Sequence, residues 1–170
     1  MPHLDDPRFP GPRVEPSKYW AEIRHAAVVN DPSLIKKNVE LGCDVNEQVR
    51  GGDTALLTAC FNGAAETVNA LLEAKADPNL STGKGNLCYD QTPFMQASYW
   101  GCSTEICQML LDAGANPLHK DVQGKTAWDY VVGLEHKEKK HNMCNWFQSK
   151  GLEGEPYAAT VGQHKPAEWP

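Results

Sequence analysis

The chain has 170 residues, 41% of them apolar and 22% charged, which is enough for one domain with a real core. Its net charge of −6, from 16 Lys and Arg against 22 Asp and Glu, argues against a general nucleic-acid binder, which needs a basic face to displace phosphate counterions. No apolar run approaches the ~20 residues of a bilayer crossing, and the acidic, proline-rich start carries neither a signal peptide nor an amphipathic presequence, so a cytoplasmic setting is expected, with a nuclear or cytoskeleton-associated one compatible.

Residues 1–18 hold five prolines and no helical or strand period. They are expected to form an extended N-terminal segment. From residue 19 to 150 the sequence repeats itself. Asp44-Val45-Asn46 aligns with Asp77-Pro78-Asn79 at an offset of 33, and the same offset places Ala26 on Ala59, Ile35 on Val68 and Asn30 on Gly63. A third copy carries Thr92-Pro93-Phe94-Met95-Gln96-Ala97 and Leu110-Leu111-Asp112, and a fourth begins at Asp121-Val122-Gln123-Gly124-Lys125-Thr126. The copies are expected at about 19–50, 51–83, 89–121 and 122–150.

Each copy reads as a helix pair. Thr54 and Thr92 suit the N-cap, where a hydroxyl accepts an orphan backbone N–H, and Pro93 suits the first helical position. Second helices are predicted over Asp31–Leu41, Ala64–Ala74 and Ser103–Ala113, with Leu34, Ile35 and Val39 on one face, and likewise Ile106, Met109 and Leu110. The spacing from turn residue to threonine is 8, 13 and 8 residues (46 to 54, 79 to 92, 118 to 126), so five residues are inserted around Ser81–Asp90. One further residue enters near Trp100–Ser103, because Ala59 to Leu71 spans 12 and Ala97 to Leu110 spans 13. Past the worn fourth copy, Met143, Trp146 and Phe147 share one helical face that can cover the end of a stack, and Gly151 supplies the stop. Residues 151–170 are expected as an extended C-terminal tail.

The runs GDTALLTACFNG, DQTPFMQASYWG, DVQGKTAW, LLEAKADPN, LLDAGANP and VELGCDVN resemble the ankyrin repeat, over about residues 19–150. The resemblance implies an all-α fold, an ankyrin-repeat solenoid of stacked helix pairs with β-turn or hairpin fingers. The family's usual histidine is replaced by Leu57, Met95 and Asp129. Small Ala26, Ala59 and Ala97 fit where neighbouring first helices approach closely. The resemblance also implies recognition through the concave face and the fingers. By position, that surface is carried by Phe61, Asn62, Tyr99 and Trp100 on the helices, and by Cys88, Tyr89, Gln91 and Lys125 on the fingers. Aromatic anchors suit such a surface because they supply contact area at modest entropy cost.

Other chemistry finds little support in the residue pattern. Gly83-Lys84-Gly85 lacks the spacing of a phosphate loop and has no preceding strand. The six cysteines include no CxxC. Cys43, Cys60 and Cys107 fall in slots held elsewhere by Ala, Ser or Val, as small buried residues. His136 and His141 lie on different sides of a helix, so no metal site is expected. No thiol or hydroxyl has a recognisable base beside it, and no cofactor is expected. Asn46 and Asn79 resemble the ankyrin asparagines that undergo hydroxylation, but a role in the turn suffices for them. The expected function is a non-catalytic module that binds a protein partner. The alternative is a structural subunit of a larger assembly, anchored by its proline-rich ends.

Overall fold

Capping divides the chain into short helices. The computed structural model describes residues 17–49, 52–83, 90–101 and 103–154. Helices α1 (Trp20–Val29) and α2 (Pro32–Glu40) form the first pair, and α3 (Ala55–Asn62) and α4 (Ala65–Glu73) the second. The third consists of α5 (Pro93–Gln96), continued by a π-helical turn at Ala97–Gly101, and α6 (Thr104–Asp112). The last is α7 (Ala127–Val132) with α8 (Lys137–Ser149). Among the described residues there is no β-strand, so the fold is an all-α stack.

The caps follow from side chains that accept orphan N–H groups. Asp31 accepts from Ser33 N–H at 2.9 Å, Thr54 from Leu57 at 3.1 Å, Thr92 from Met95 at 3.4 Å and Ser103 from Ile106 at 3.2 Å. In the fourth unit the cap is reversed. Asp129 Oδ2 accepts from both the backbone N–H and the hydroxyl of Thr126, each at 2.8 Å. Asn30 and Gly63 end the first helices in the left-handed region, with φ of 56° and 70°, which turns the chain back at once.

The third unit departs from that plan. In the second unit the Ala64 N–H donates to the Ala59 carbonyl, five residues back. At the corresponding place the Ser103 N–H reaches Ala97, six residues back. The extra residue predicted near Trp100–Ser103 is therefore taken up earlier, inside the first helix, as the π-turn at Ala97–Gly101.

Stacking buries the same positions in each unit. Ala26, Ala59 and Ala97 have no exposed surface, and neither do Ile35, Val68, Leu71, Ile106 and Leu110. Phe147 and Met143 close the end of the stack, and Phe147 packs on Phe94 with ring centroids 5.8 Å apart. Two expectations need correction. Cys43 is only part-buried, because it lies on the turn after α2. On α2 the fully buried partner of Ile35 is Asn38, standing in the slot of Leu71, whereas Leu34 and Val39 are half-covered. The Asn38 amide donates to the Leu34 carbonyl at 2.8 Å and to Glu22 at 3.3 Å.

Neighbouring units are clasped through their turns. Asn46 donates from its amide to the Lys75 carbonyl at 3.3 Å and accepts from Asp77 N–H at 2.8 Å. Asn79 repeats this on the next unit, donating to the Gly114 carbonyl at 3.0 Å and accepting from Asn116 N–H at 2.8 Å. In the third unit Leu118 occupies the slot and carries no side-chain hydrogen-bonding group.

Candidate functional site

Three turns project beside the first helices, and each is closed by the same backbone pair. Val49 N–H bonds the Asp53 carbonyl at 3.2 Å, Thr82 N–H bonds Gln91 at 2.9 Å and Asp121 N–H bonds Lys125 at 3.0 Å. Residues 49 to 53 are four apart and 82 to 91 nine apart, so the five inserted residues lie within the second finger. Its base is braced on both sides. Gln48 donates to the Ser81 carbonyl at 3.1 Å, and His119 Nε2–H donates to the Asp90 carbonyl at 3.0 Å. Gly52 lies so close to Gly83 that a Cβ there would fall 2.0 Å from the Gly83 nitrogen, and its φ of +77° also favours glycine. The tight contact sets the first finger against the second.

The repeat brings equivalent first-helix positions into one row across the stack. Val28 and Phe61 are 33 apart in sequence, and both are about half-exposed. In the third unit Tyr99 takes the Phe61 slot, while Trp100, 48% exposed, follows it on the π-turn. The Phe61 and Trp100 rings lie 5.1 Å apart, Trp100 meets Tyr99 edge-on at 4.8 Å, and Tyr99 lies 5.6 Å from Tyr130. Lys125 Nζ stands 5.6 Å over the Tyr130 ring, whose hydroxyl donates to Asp121. A continuous aromatic path thus crosses from the second unit to the fourth.

A cleft of ≈ 330 Å³ borders that row, walled by Val28, Leu57 and Phe61 and edged by Arg24, Asp53 and Asn62. Thr82 and Gln96 complete it. The Asn62 amide donates to the Thr58 carbonyl at 2.8 Å. Gln96 is 5% exposed. Its amide nitrogen donates to Gln91 Oε1 at 2.8 Å, and its own Oε1 is buried with no hydrogen-bond partner.

The sequence-predicted residues therefore separate into groups. Phe61, Asn62 and Trp100 are exposed on one surface, and Tyr99 and Lys125 are half-buried beside it. Gln91, expected at a finger tip, is instead buried at the finger base, because its backbone closes the turn and its amide bonds inward to Gln96. Cys88 and Tyr89 lie outside the described residues. Sequence reasoning missed Val28, Arg24 and Gln96. The 33-residue offset from Phe61 was a sufficient signal for Val28; nothing local marks Gln96.

The surface offers no nucleophile. Burial holds the Cys60 thiol well above its ordinary range, with Cys107 adding to the effect, and burial likewise raises Cys43, helped by Asp44 and Glu47. Among the described residues no group of three or more His, Cys, Asp or Glu side chains could hold a metal ion. Nor is any described helix long and apolar enough to cross a membrane.

Comparison with known proteins agrees with this geometry. A family model described as ankyrin repeats in three copies matches residues 23–121. The chain is 30% identical over 146 residues to the mitochondrial disaggregase of Bos taurus, covering 68% of this chain and 22% of that protein. It is 31% identical over 133 residues to ankyrin repeat and SAM domain-containing protein 6 of Rattus norvegicus, covering 78% of this chain and 14% of that one. Ankyrin repeat domain-containing protein 40 of Mus musculus is 35% identical over 75 residues, 44% of this chain and 21% of that protein. The chain thus spans between 14% and 22% of the length of these relatives.

Proposed function

The chain belongs to the ankyrin repeat family, whose modules generally mediate protein–protein contacts and are typically non-catalytic, and from that premise we propose that it binds a protein partner through its first-helix face and fingers. The observation that carries this reading is the stacked pair Phe61 and Trp100, each about half-exposed on a rigid helical row. Exposed aromatics in contact with one another give a preorganised anchor, because little side-chain entropy remains to be lost on binding. Asn62, Tyr99 and Lys125 complete the contact surface, with Cys88 and Tyr89 on the second finger. Gln91 acts beneath it by positioning Gln96.

The net charge of −6 supports a protein rather than a nucleic acid as partner, in a cytoplasmic setting. The test is a comparison of the full chain with Trp100→Ala in crosslinking and affinity capture from native cells. The variant should melt within a few degrees of the parent, since Trp100 contributes little to the core, yet lose its partner. The expected loss is about 2 kcal/mol or more of binding, the range of an interface hot spot. A variant that melts normally and captures the same protein to the same extent would remove this face from the binding site.

A further inference from the structure

The cleft beside Phe61 has a chemistry of its own, and the inference drawn from it rests on the protein-binding reading above. Apart from one cation, what lines it is rich in acceptors and in aromatic surface. Asp53 contributes a carboxylate at the finger edge. Asn62 commits its amide nitrogen to the Thr58 carbonyl, which leaves the oxygen as the end with hydrogen-bonding capacity to offer. Below them, the buried Gln96 oxygen has no partner, so the negative end of an amide dipole lies uncompensated under the floor. In a poorly solvated site such a dipole raises the attraction for positive charge above it, even without direct contact.

Phe61 and Trp100 add exposed ring faces beside these acceptors. One cation, Arg24, also lines the cleft, but it belongs to α1 at the first-unit end, whereas Trp100 lies in the third unit. The chain as a whole is acidic.

We propose that this cleft receives an arginine side chain from an extended segment of the partner protein, seated at the Phe61–Trp100 end. Arginine fits each feature at once. It carries five N–H donors and no acceptor, matching a site rich in oxygens. Its planar, weakly hydrated guanidinium stacks on aromatic faces while donating in plane to a carboxylate or amide oxygen. A neutral amide would bring an acceptor of its own toward the unpaired Gln96 oxygen, and a carboxylate would be repelled by Asp53.

The probe is a random peptide library displayed against the full chain. Enriched peptides should share one fixed arginine, and replacing it with citrulline, which keeps the shape and removes the charge, should weaken binding about tenfold. Asp53→Asn should weaken the arginine peptide to a similar degree and Gln96→Leu by a smaller factor, and added salt should reduce the arginine–citrulline difference. Thermal melts identify any variant that has lost its fold, and the citrulline comparison on the unaltered chain is independent of them. Enrichment of peptides without arginine, indifference to citrulline, or failure to enrich any peptide overturns the inference. Binding that depends on Trp100→Ala but not on arginine removes only the inference. Peptides indifferent to both Phe61→Ala and Trp100→Ala sink the protein-binding reading as well.

Discussion

At the scale of single residues, two side-chain types hold the stack in register. Asn46 and Asn79 each satisfy a donor and an acceptor of the next turn, so they act as intermolecular amides would, but within one chain. Asn79→Ala removes both bonds at one seam and should cost about 1–2 kcal/mol in denaturant unfolding, less if water replaces them. An unchanged midpoint would mean that packing alone sets the seam. The second type is the engaged carboxylate. Hydrogen bonds from the Ser33 side chain and then its backbone hold Asp31 below its ordinary value, and the Asn30 amide does the same for Glu66. A carboxylate depressed in the folded state adds stability above its unfolded value, and that stability is lost as pH falls through the folded value. Stability should therefore decline on acidification below about pH 4, the ordinary carboxylate range. Asp31→Asn should keep the cap and show a shallower decline. Equal acid slopes for parent and variant would exclude Asp31 as a contributor. These roles were only partly legible in the sequence. Asn46 and Asn79 stand out by their period, whereas Asn38 breaks it, a buried amide where the pattern calls for leucine.

At the scale of elements, the helix pairs were readable because their signals are local: threonine caps, a glycine or asparagine stop and a 3.6-residue apolar period. The predicted second helices differ from α2, α4 and α6 only by the capping residues at each end. The inserted residue in the third unit was readable as a count but not as a shape. Its lodging depends on whether helix or loop yields, and buried Ala97 and Ser98 fix the start of the turn against the second unit. The π-turn also moves Trp100 forward from the slot that Asn62 fills in α3. Deleting Trp100 removes the surplus residue, so the segment should revert to an ordinary helix ending like α3. We expect melting at or above the parent temperature together with lost partner binding. A large drop in melting temperature would show that the π-turn is needed for folding rather than for display. Gln91 is the other lesson at this scale. Its position relative to the motif suggested a finger tip, but the longer second finger makes residue 91 part of the base, where a buried amide is needed to close the turn.

At the scale of the whole molecule, the core is a line of nearest-neighbour seams rather than one centre. α8 covers the open end of that line through Met143 and Phe147, both essentially without exposed surface. Phe147→Ala should cost about 3–5 kcal/mol by the usual cost of truncating a buried aromatic. The loss should be confined to the fourth and third units, with hydrogen exchange accelerated in α7 and α8 before α1 to α4. Uniform acceleration throughout would indicate a single cooperative block. The seams are also unlike one another. The first two carry an asparagine clasp, whereas the third, at Leu118, relies on ring packing between Tyr99 and Tyr130 and between Phe94 and Phe147. Hydrogen bonds across a seam are stiff and short in range, while ring contacts slide. Under a mechanical load applied to its two ends, the molecule should behave as a rigid rod of three units with a soft joint at the fourth. The lysine-bearing turn and Tyr130 would shift relative to Trp100 before anything else gives way. A partner that bridges that joint would act as a splint, and the spring constant of the molecule would report its presence.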